Sequence, residues 1–187
     1  MKVFLNPGHS PNGVPDPGAC NPYTHLRECD VAKSIGDLVE KYLVAAGVEV
    51  VGNVQSDNLY YDSDYDQPCV CEEANASGAD IFVSIHADAF DETAHGTSVL
   101  AYGPGTGEKL GGYILRQIVD SLGTQNRGVK YRPELTVLHR TDMPAVLVET
   151  AFIDNDEDEK LLETHRDDFA RAIARGITDF EQGVFNA

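Results

Sequence analysis

Basic residues are scarce in this sequence of 187 residues. Lysine and arginine number 14 against 31 aspartate and glutamate, so the formal net charge is −17 at pH 7. Such a surface repels the phosphate backbone of nucleic acids over most of its area. We therefore expect no nucleic-acid partner.

Long apolar runs are also missing. No segment approaches the roughly 20 consecutive apolar residues that a membrane-spanning helix needs, so membrane insertion is not expected. Met1 leads directly into the strand-like segment Lys2–Leu5, so we expect no signal peptide within this chain.

Paired C-x-x-C knuckles, which mark structural zinc sites, do not occur although the chain has four cysteines. Cys69 and Cys71 are too close in sequence for an unstrained disulfide, whereas Cys20 could reach Cys29 across a loop. We expect free thiols, none of them a metal ligand.

The chain is long enough for one substantial hydrophobic core and short for two, with 42% apolar residues. We expect a monomer with a single domain over residues 1–182 and a short tail over 183–187. Short apolar runs predict strands at Lys2–Asn6, Val48–Val51, Ile81–Ile85, Thr97–Tyr102 and Ala145–Val148.

Apolar positions at helical spacing alternate with these strands. They predict helices at Glu28–Ala46, Cys71–Ser77, Lys109–Leu122 and Asp156–Ile177. The alternation favours a single-domain α/β fold, with a mostly parallel or mixed central sheet and helices on both faces.

Polar side chains stand where several predicted strands end. His9 follows the first strand, His86 ends the third, and Glu149 ends the last. In α/β folds the ligand site lies beyond the carboxyl ends of the strands, so these residues should converge. Glu28 joins them if the loop from Ser10 to Arg27 folds back over that edge.

These residue types fit catalytic zinc. Such a site takes three imidazole or carboxylate ligands and keeps one position for water, and His9, Glu28 and His86 supply that set. A further carboxylate must accept the proton of water and pass it to the leaving nitrogen, a task we assign to Glu149. Burial behind an apolar strand should raise the pKa of Glu149.

Each residue also has a simpler interpretation. A histidine at a strand end is often structural, and a glutamate at a helix start stabilises the helix dipole. His25 forms an H-x-x-E element with Glu28 and is the main rival ligand. Asp88 either orients a ligand histidine or is solvated. If Glu149 has no role, Asp88 and Glu134 are the next proton-transfer candidates.

Several segments combine into one pattern: Asn6–His9, Asp16–Ala19, Leu26–Glu28, Ala79–Ala87, Met143–Glu149 and Phe152–Asn155. This pattern resembles the zinc-dependent N-acetylmuramoyl-L-alanine amidases of bacterial cell walls and phage lysins, and it covers nearly the whole chain.

The resemblance implies that His9, Glu28 and His86 bind zinc, that Glu149 is catalytic, and that His9 is favoured over His25. It also implies hydrolysis of the bond between the lactyl group of N-acetylmuramic acid and L-alanine in peptidoglycan. The place of action would be the cell wall or the exterior of the cell. Asn6, Ser10-Pro11 and Asp88 depart from the usual residues of the family.

The segment Asn53–Glu73 is acidic and rich in tyrosine. Asp62, Asp64, Asp66 and Glu73 are spaced as in a calcium loop, but Gln67 occupies the position that requires glycine, so calcium is not expected. We expect a solvated acidic loop, in which Tyr60, Tyr61 and Tyr65 pack locally or offer their faces to sugar rings.

Two other functions compete with the amidase. A zinc carboxypeptidase-like peptidase needs an arginine to grip a terminal carboxylate, and Arg127, Arg132 and Arg140 have no assigned role. An inactive wall-binding module of the same fold should have lost Glu149 or a ligand, and none is missing.

Overall fold

Six strands form one sheet in the computed structural model, which describes residues 1–60 and 66–185. The strands are β1 Lys2–Pro7, β2 Glu49–Asn53, β3 Ile81–Asp88, β4 Thr97–Ala101, β5 Asn126–Tyr131 and β6 Ala145–Phe152. The helices are α1 Glu28–Ala45, α2 Val70–Ala76, α3 Thr106–Leu122, α4 Thr136–His139, α5 Asp156–Thr164 and α6 Arg166–Phe180.

The strand order in the sheet is β2-β1-β3-β6-β4-β5. Neighbouring strands are parallel except β4 and β6, which pair antiparallel. The carboxyl ends of β1, β3 and β6 therefore meet at one edge of the sheet. This arrangement confirms the predicted α/β fold with a mixed, mostly parallel sheet.

Helices cover both faces of the sheet, as predicted, but unequally. Alternate strand residues such as Val3 and Leu5 pack in a large core with α1, α3 and α6. Phe4 and Phe82 point to the other face, where α2, α4 and residues of the loop before α2, Val54 and Leu59, cover a smaller core. Since α4 is a single turn of four residues, this is the thinner of the two helical layers.

The structure corrects several predicted boundaries. The predicted helix Asp156–Ile177 is two helices, since His165 leaves the helical region with φ −123° and ψ 27°. β5 and α4 were not predicted, because β5 is a mostly polar edge strand and α4 is a single turn. β3 and β6 continue beyond Ile85 and Val148, so His86 and Glu149 lie inside strands.

Two other expectations can be compared with the described residues. The four cysteines are free thiols, and Cys20 is the exposed one. Within residues 1–60 and 66–185, no helix is long and apolar enough to cross a membrane. Asp62 and Asp64 of the calcium-like spacing, together with Tyr61 and Tyr65, lie outside the described residues.

The contact between α3 and α6 yields a stability prediction. A Cβ atom added at Gly176 would lie 2.5 Å from the Cα atom of Ile114. Gly176→Ala should therefore lower the free energy of unfolding by about 1–3 kcal/mol, because backbone must move to admit the methyl group. Urea denaturation measures the change.

Gly112→Ala is the matched control. Gly112 is an exposed residue of α3, and a Cβ there meets no atom within 4 Å. Its replacement should raise stability by up to ~1 kcal/mol through helix propensity. Equal stability of Gly176→Ala and the unsubstituted chain would contradict the close approach of α3 and α6.

Candidate metal centre

The loop between β1 and α1 folds back over the carboxyl edge, as the sequence required for Glu28 to join the site. The N–H of Glu28 donates to the carbonyl of Ala19 at 2.8 Å, and that of Cys29 to Pro17 at 3.1 Å. These bonds fix the first turn of α1. Glu28, its first residue, is thereby buried beside His9 and His86.

Glu28 joins two histidines through its two carboxylate oxygens. Its Oε2 atom lies 2.9 Å from Nε2 of His9, and its Oε1 atom lies 2.8 Å from Nδ1 of His86. The N–H groups of Ala19 and Ala87 donate to Oε2 and Oε1 at 2.8 and 3.0 Å. The three side chains offer ligand atoms within 4.8 Å of one another.

This donor set fits a divalent metal. Two imidazoles and one carboxylate are typical zinc ligands, and the backbone bonds hold the carboxylate in a fixed orientation. Within the described residues, His9, Asp16 and Asp57 form another group with similar spacing. That group shares His9 with the first.

Opposite charges dominate the electrostatics. Burial favours a neutral Glu28, but hydrogen bonds from His86 and then His9 outweigh it and hold the pKa of Glu28 well below its usual range. Burial likewise opposes charge on His9, whereas Glu28 and Asp16 raise its pKa to about 9. The carboxylates thus create a site that favours positive charge.

Asp16 is a site residue to which the sequence motif assigned no role. Its Oδ2 atom lies 2.8 Å from Nδ1 of His9, and its Oδ1 atom accepts a bond from the N–H of Gly18 at 2.8 Å. A carboxylate on the second ring nitrogen is the usual partner of a metal-binding histidine. This contact leaves Nε2 of His9 facing Glu28.

Close packing around the site requires small residues. A Cβ at Gly8 would lie 2.3 Å from the His86 ring, and one at Gly18 would lie 2.5 Å from the His9 ring. Gly18 also has φ +70°. His9 itself has φ 65°, an unfavourable conformation for a non-glycine residue that costs on the order of 1–3 kcal/mol.

Glu149 lies on β6 directly opposite His86 of β3 and Ser98 of β4. Its Oε2 atom is buried and has no hydrogen-bond partner among the described residues. Burial, followed by the charges of Glu28 and Asp88, raises the pKa of Glu149 well above its ordinary value. A buried carboxyl group with a raised pKa beside a cluster of ligand side chains is suited to proton transfer.

The rival residues are arranged differently. His25 is exposed and outside the cluster of described ligand atoms. Asp88, which we considered as an orienting acid for a ligand histidine, accepts a bond from the N–H of its neighbour Ala89 at 2.9 Å, whereas Asp16 contacts the ring of His9. Glu134 is exposed and paired with Arg132.

The proposed ligands and Glu149 line one open cleft of about 330 Å³. Leu100, Leu135 and Leu147 provide apolar contacts in the cleft. Arg132 is the one lysine or arginine among the described lining residues. Arg127 lies over the ring of Phe152 and Arg140 over the ring of Tyr60 instead.

Known proteins share this sequence and fold. The sequence profile of the N-acetylmuramoyl-L-alanine amidase family matches residues 3–179. The amidase LytC of Bacillus subtilis is 32% identical over 184 residues, which cover 95% of this chain and 35% of LytC. The endolysin of Bacillus phage SPP1 is 29% identical over 98% of this chain and 66% of the endolysin.

The chain spans only part of several relatives. A cell wall amidase of Bacillus anthracis described as uncharacterized is 38% identical over 120 residues, which cover 58% of this chain and 22% of the relative. Together with LytC, it shows that this chain corresponds to about a third or less of the length of these relatives.

Solved structures agree over nearly the entire length. The amidase AmiC2 of Nostoc punctiforme aligns with a TM-score of 0.83 and 30% identity, covering 97% of both chains. An amidase of Clostridium difficile 630 aligns with a TM-score of 0.84 and 27% identity, covering 98% of this chain and 97% of the other. By sequence and by fold, this chain belongs to the N-acetylmuramoyl-L-alanine amidase family.

Proposed function

We propose that this chain is a zinc-dependent hydrolase that cleaves the amide between N-acetylmuramic acid and L-alanine in peptidoglycan. The observation that carries the proposal is the meeting of His9, Glu28 and His86 in one cleft with the carboxylate of Glu149. Membership of the amidase family supports the choice of substrate.

The chain's own residues would hold the metal. His9 would offer Nε2, because its Nδ1 contacts Asp16, while His86 would offer Nδ1 and Glu28 its carboxylate. When bound, zinc polarises a carbonyl oxygen and makes water a stronger nucleophile at neutral pH. The network of Asp16, Ala19 and Ala87 keeps the ligands oriented.

Glu149 would move the proton. Because Oε2 of Glu149 is buried, we assign the proton transfer to Oε1, the other oxygen of the carboxylate. That oxygen accepts a proton from the attacking water, whose oxygen bonds to the lactyl carbonyl carbon. As the carbon–nitrogen bond breaks, Glu149 returns the proton to the nitrogen of L-alanine, so the carboxylate is regenerated.

Arg132 would meet the peptide part of the substrate. As the cation that lines the cleft, it suits a carboxylate of the stem peptide. Its exposed pair with Glu134 is weak enough to be exchanged for that carboxylate. Arg132 also keeps the carboxypeptidase-like alternative open, because a terminal carboxylate would fit the same place.

The substrate sets the place of action. Since peptidoglycan is assembled outside the membrane, we propose that the chain works at the cell wall or outside the cell. Action as a monomer remains a prediction.

The first prediction concerns the ligands. The purified chain should bind about one zinc ion, because one complete His/His/Glu set is present. Glu28→Ala and His86→Ala should lose the metal, whereas His25→Ala should keep it. Elemental analysis after dialysis measures the ratio. Full occupancy in the first two variants, with loss in His25→Ala, would reverse the ligand assignment.

The second prediction concerns Asp16. Asp16→Ala should weaken zinc affinity by about 10–100-fold, since His9 loses the carboxylate that orients its ring. Competition with a chromogenic chelator measures the affinity. Asp30→Ala is the control, because Asp30 is an exposed acid at the start of α1 that pairs with Arg27. Equal zinc affinities of the two variants would show that Asp16 does not support metal binding.

The third prediction separates binding from turnover. Glu149→Gln keeps the shape of the side chain but cannot accept a proton, so the cleavage rate should fall by roughly 10²–10⁴-fold. Zinc content and melting temperature should stay close to those of the unsubstituted chain.

Glu134→Gln provides the control for Glu149→Gln. Glu134 is an exposed carboxylate, and its amide variant should cleave muramoyl peptides within a few-fold of the original rate. If Glu149→Gln cleaved at a near-normal rate, with unchanged zinc content and melting temperature, Glu149 would be excluded from proton transfer.

A further inference from the structure

A second cavity, of about 410 Å³, lies at the amino end of β6. Ala145, the first residue of β6, lines this cavity, whereas Glu149 lines the metal cleft. The two residues are four steps apart along the strand, which corresponds to ~13 Å. Because side chains alternate along a strand, Ala145 and Glu149 are on the same face of the sheet.

The short helix α4 separates the two openings. Leu135 contacts the metal cleft just before α4, while Leu138 and His139 line the second cavity at the end of α4. A polymer crossing this face could therefore enter both.

An exposed aromatic ring forms part of the second cavity. Tyr102 is 53% exposed, and its ring stacks on that of His139 with centroids 5.9 Å apart and an angle of 28° between the planes. Stacking restrains the tyrosine ring while leaving much of it accessible. A restrained flat ring can contact the C–H face of a sugar with little loss of conformational entropy.

Polar groups surround the ring. Thr106, Thr141 and Asp142 line the cavity and offer hydroxyl and carboxylate groups. Thr106 also begins α3, where Gly105 supplies no side chain to cap the first N–H groups of the helix. Those N–H groups have no partner within the helix and can donate to a ligand.

The charges of the residues that line the cavity indicate which ligands it can bind. None of the described residues that line it is lysine or arginine, and Asp142 is an acid. In a chain of net charge −17, this lining disfavours phosphate polymers and other anions. It suits an uncharged ring with one apolar face and several hydrogen-bonding groups.

We propose that this cavity binds an uncharged N-acetylhexosamine ring of the wall glycan, stacked on Tyr102. The assignment of this sugar to the wall glycan rests on the proposed amidase function. The preference for an uncharged sugar ring rests on the residues that line the cavity. The site would hold the glycan strand ~13 Å from Glu149 along the sheet while a peptide amide occupies the metal cleft.

The direct test is a titration of the isotope-labelled full chain with chitotetraose, an uncharged N-acetylglucosamine tetramer, followed by NMR. Resonances of Tyr102, His139 and Thr106 should shift. Tyr102→Ala should weaken binding by about tenfold or more, the factor that corresponds to ~1.4 kcal/mol. Thermal melts verify that the variant is folded.

Tyr131→Ala is the matched control. Tyr131 is 47% exposed, lies on β5 and donates its hydroxyl to Glu108, but does not line the cavity. This variant should bind chitotetraose like the unsubstituted chain. Unchanged affinity in Tyr102→Ala, or shifts confined to residues of the metal cleft, would overturn the proposal.

Kinetics separate this proposal from the proposed function. Tyr102→Ala should raise the KM for glycan strands bearing peptides by about tenfold without changing kcat, and should leave cleavage of muramoyl-L-alanine peptides without flanking sugars unaltered. Equal losses on both substrates would overturn the sugar site. A chain that binds chitotetraose at Tyr102 but cleaves no muramoyl amide would retain the sugar site and refute the amidase.

Discussion

The site depends on one buried carboxylate shared by two histidines. Glu28 is 5% exposed, and both of its oxygens contact an imidazole and a backbone N–H. A charge removed from water in this way must be compensated, and loss of a partner is costly. The fold of the loop before α1, the close approach of Gly8 and Gly18, and the positive φ of His9 all keep this carboxylate between the two rings.

The sheet explains why the same carboxylate faces an accessible cleft. β1 and β3 carry His9 and His86 to one edge, and β6 places Glu149 beside His86. The thick helical layer of α1, α3 and α6 covers the opposite face, whereas α2 and α4 cover the face of Glu149 only in part. The larger part of the buried core therefore lies on one face, and the cleft opens on the other.

Much of this arrangement could be predicted from the sequence, because strand ends and helical spacing are local signals. They placed His9, His86 and Glu149 at one edge and Glu28 at the start of α1. Asp16 was missed because its contact with His9 depends on the path of a loop. β5 lacked an apolar run, and the break at His165 has neither glycine nor proline to mark it.

Hydrolysis of a muramoyl peptide in water enriched in ¹⁸O is the most direct test of the central claim, that the cleft cleaves the lactyl–alanine amide. Mass spectrometry of the products should find the label in the lactyl carboxylate of N-acetylmuramic acid. The released peptide should be unlabelled and carry a free amino group on L-alanine. Label in a peptide carboxylate, with the lactyl–alanine bond intact, would contradict the amidase and favour a peptidase.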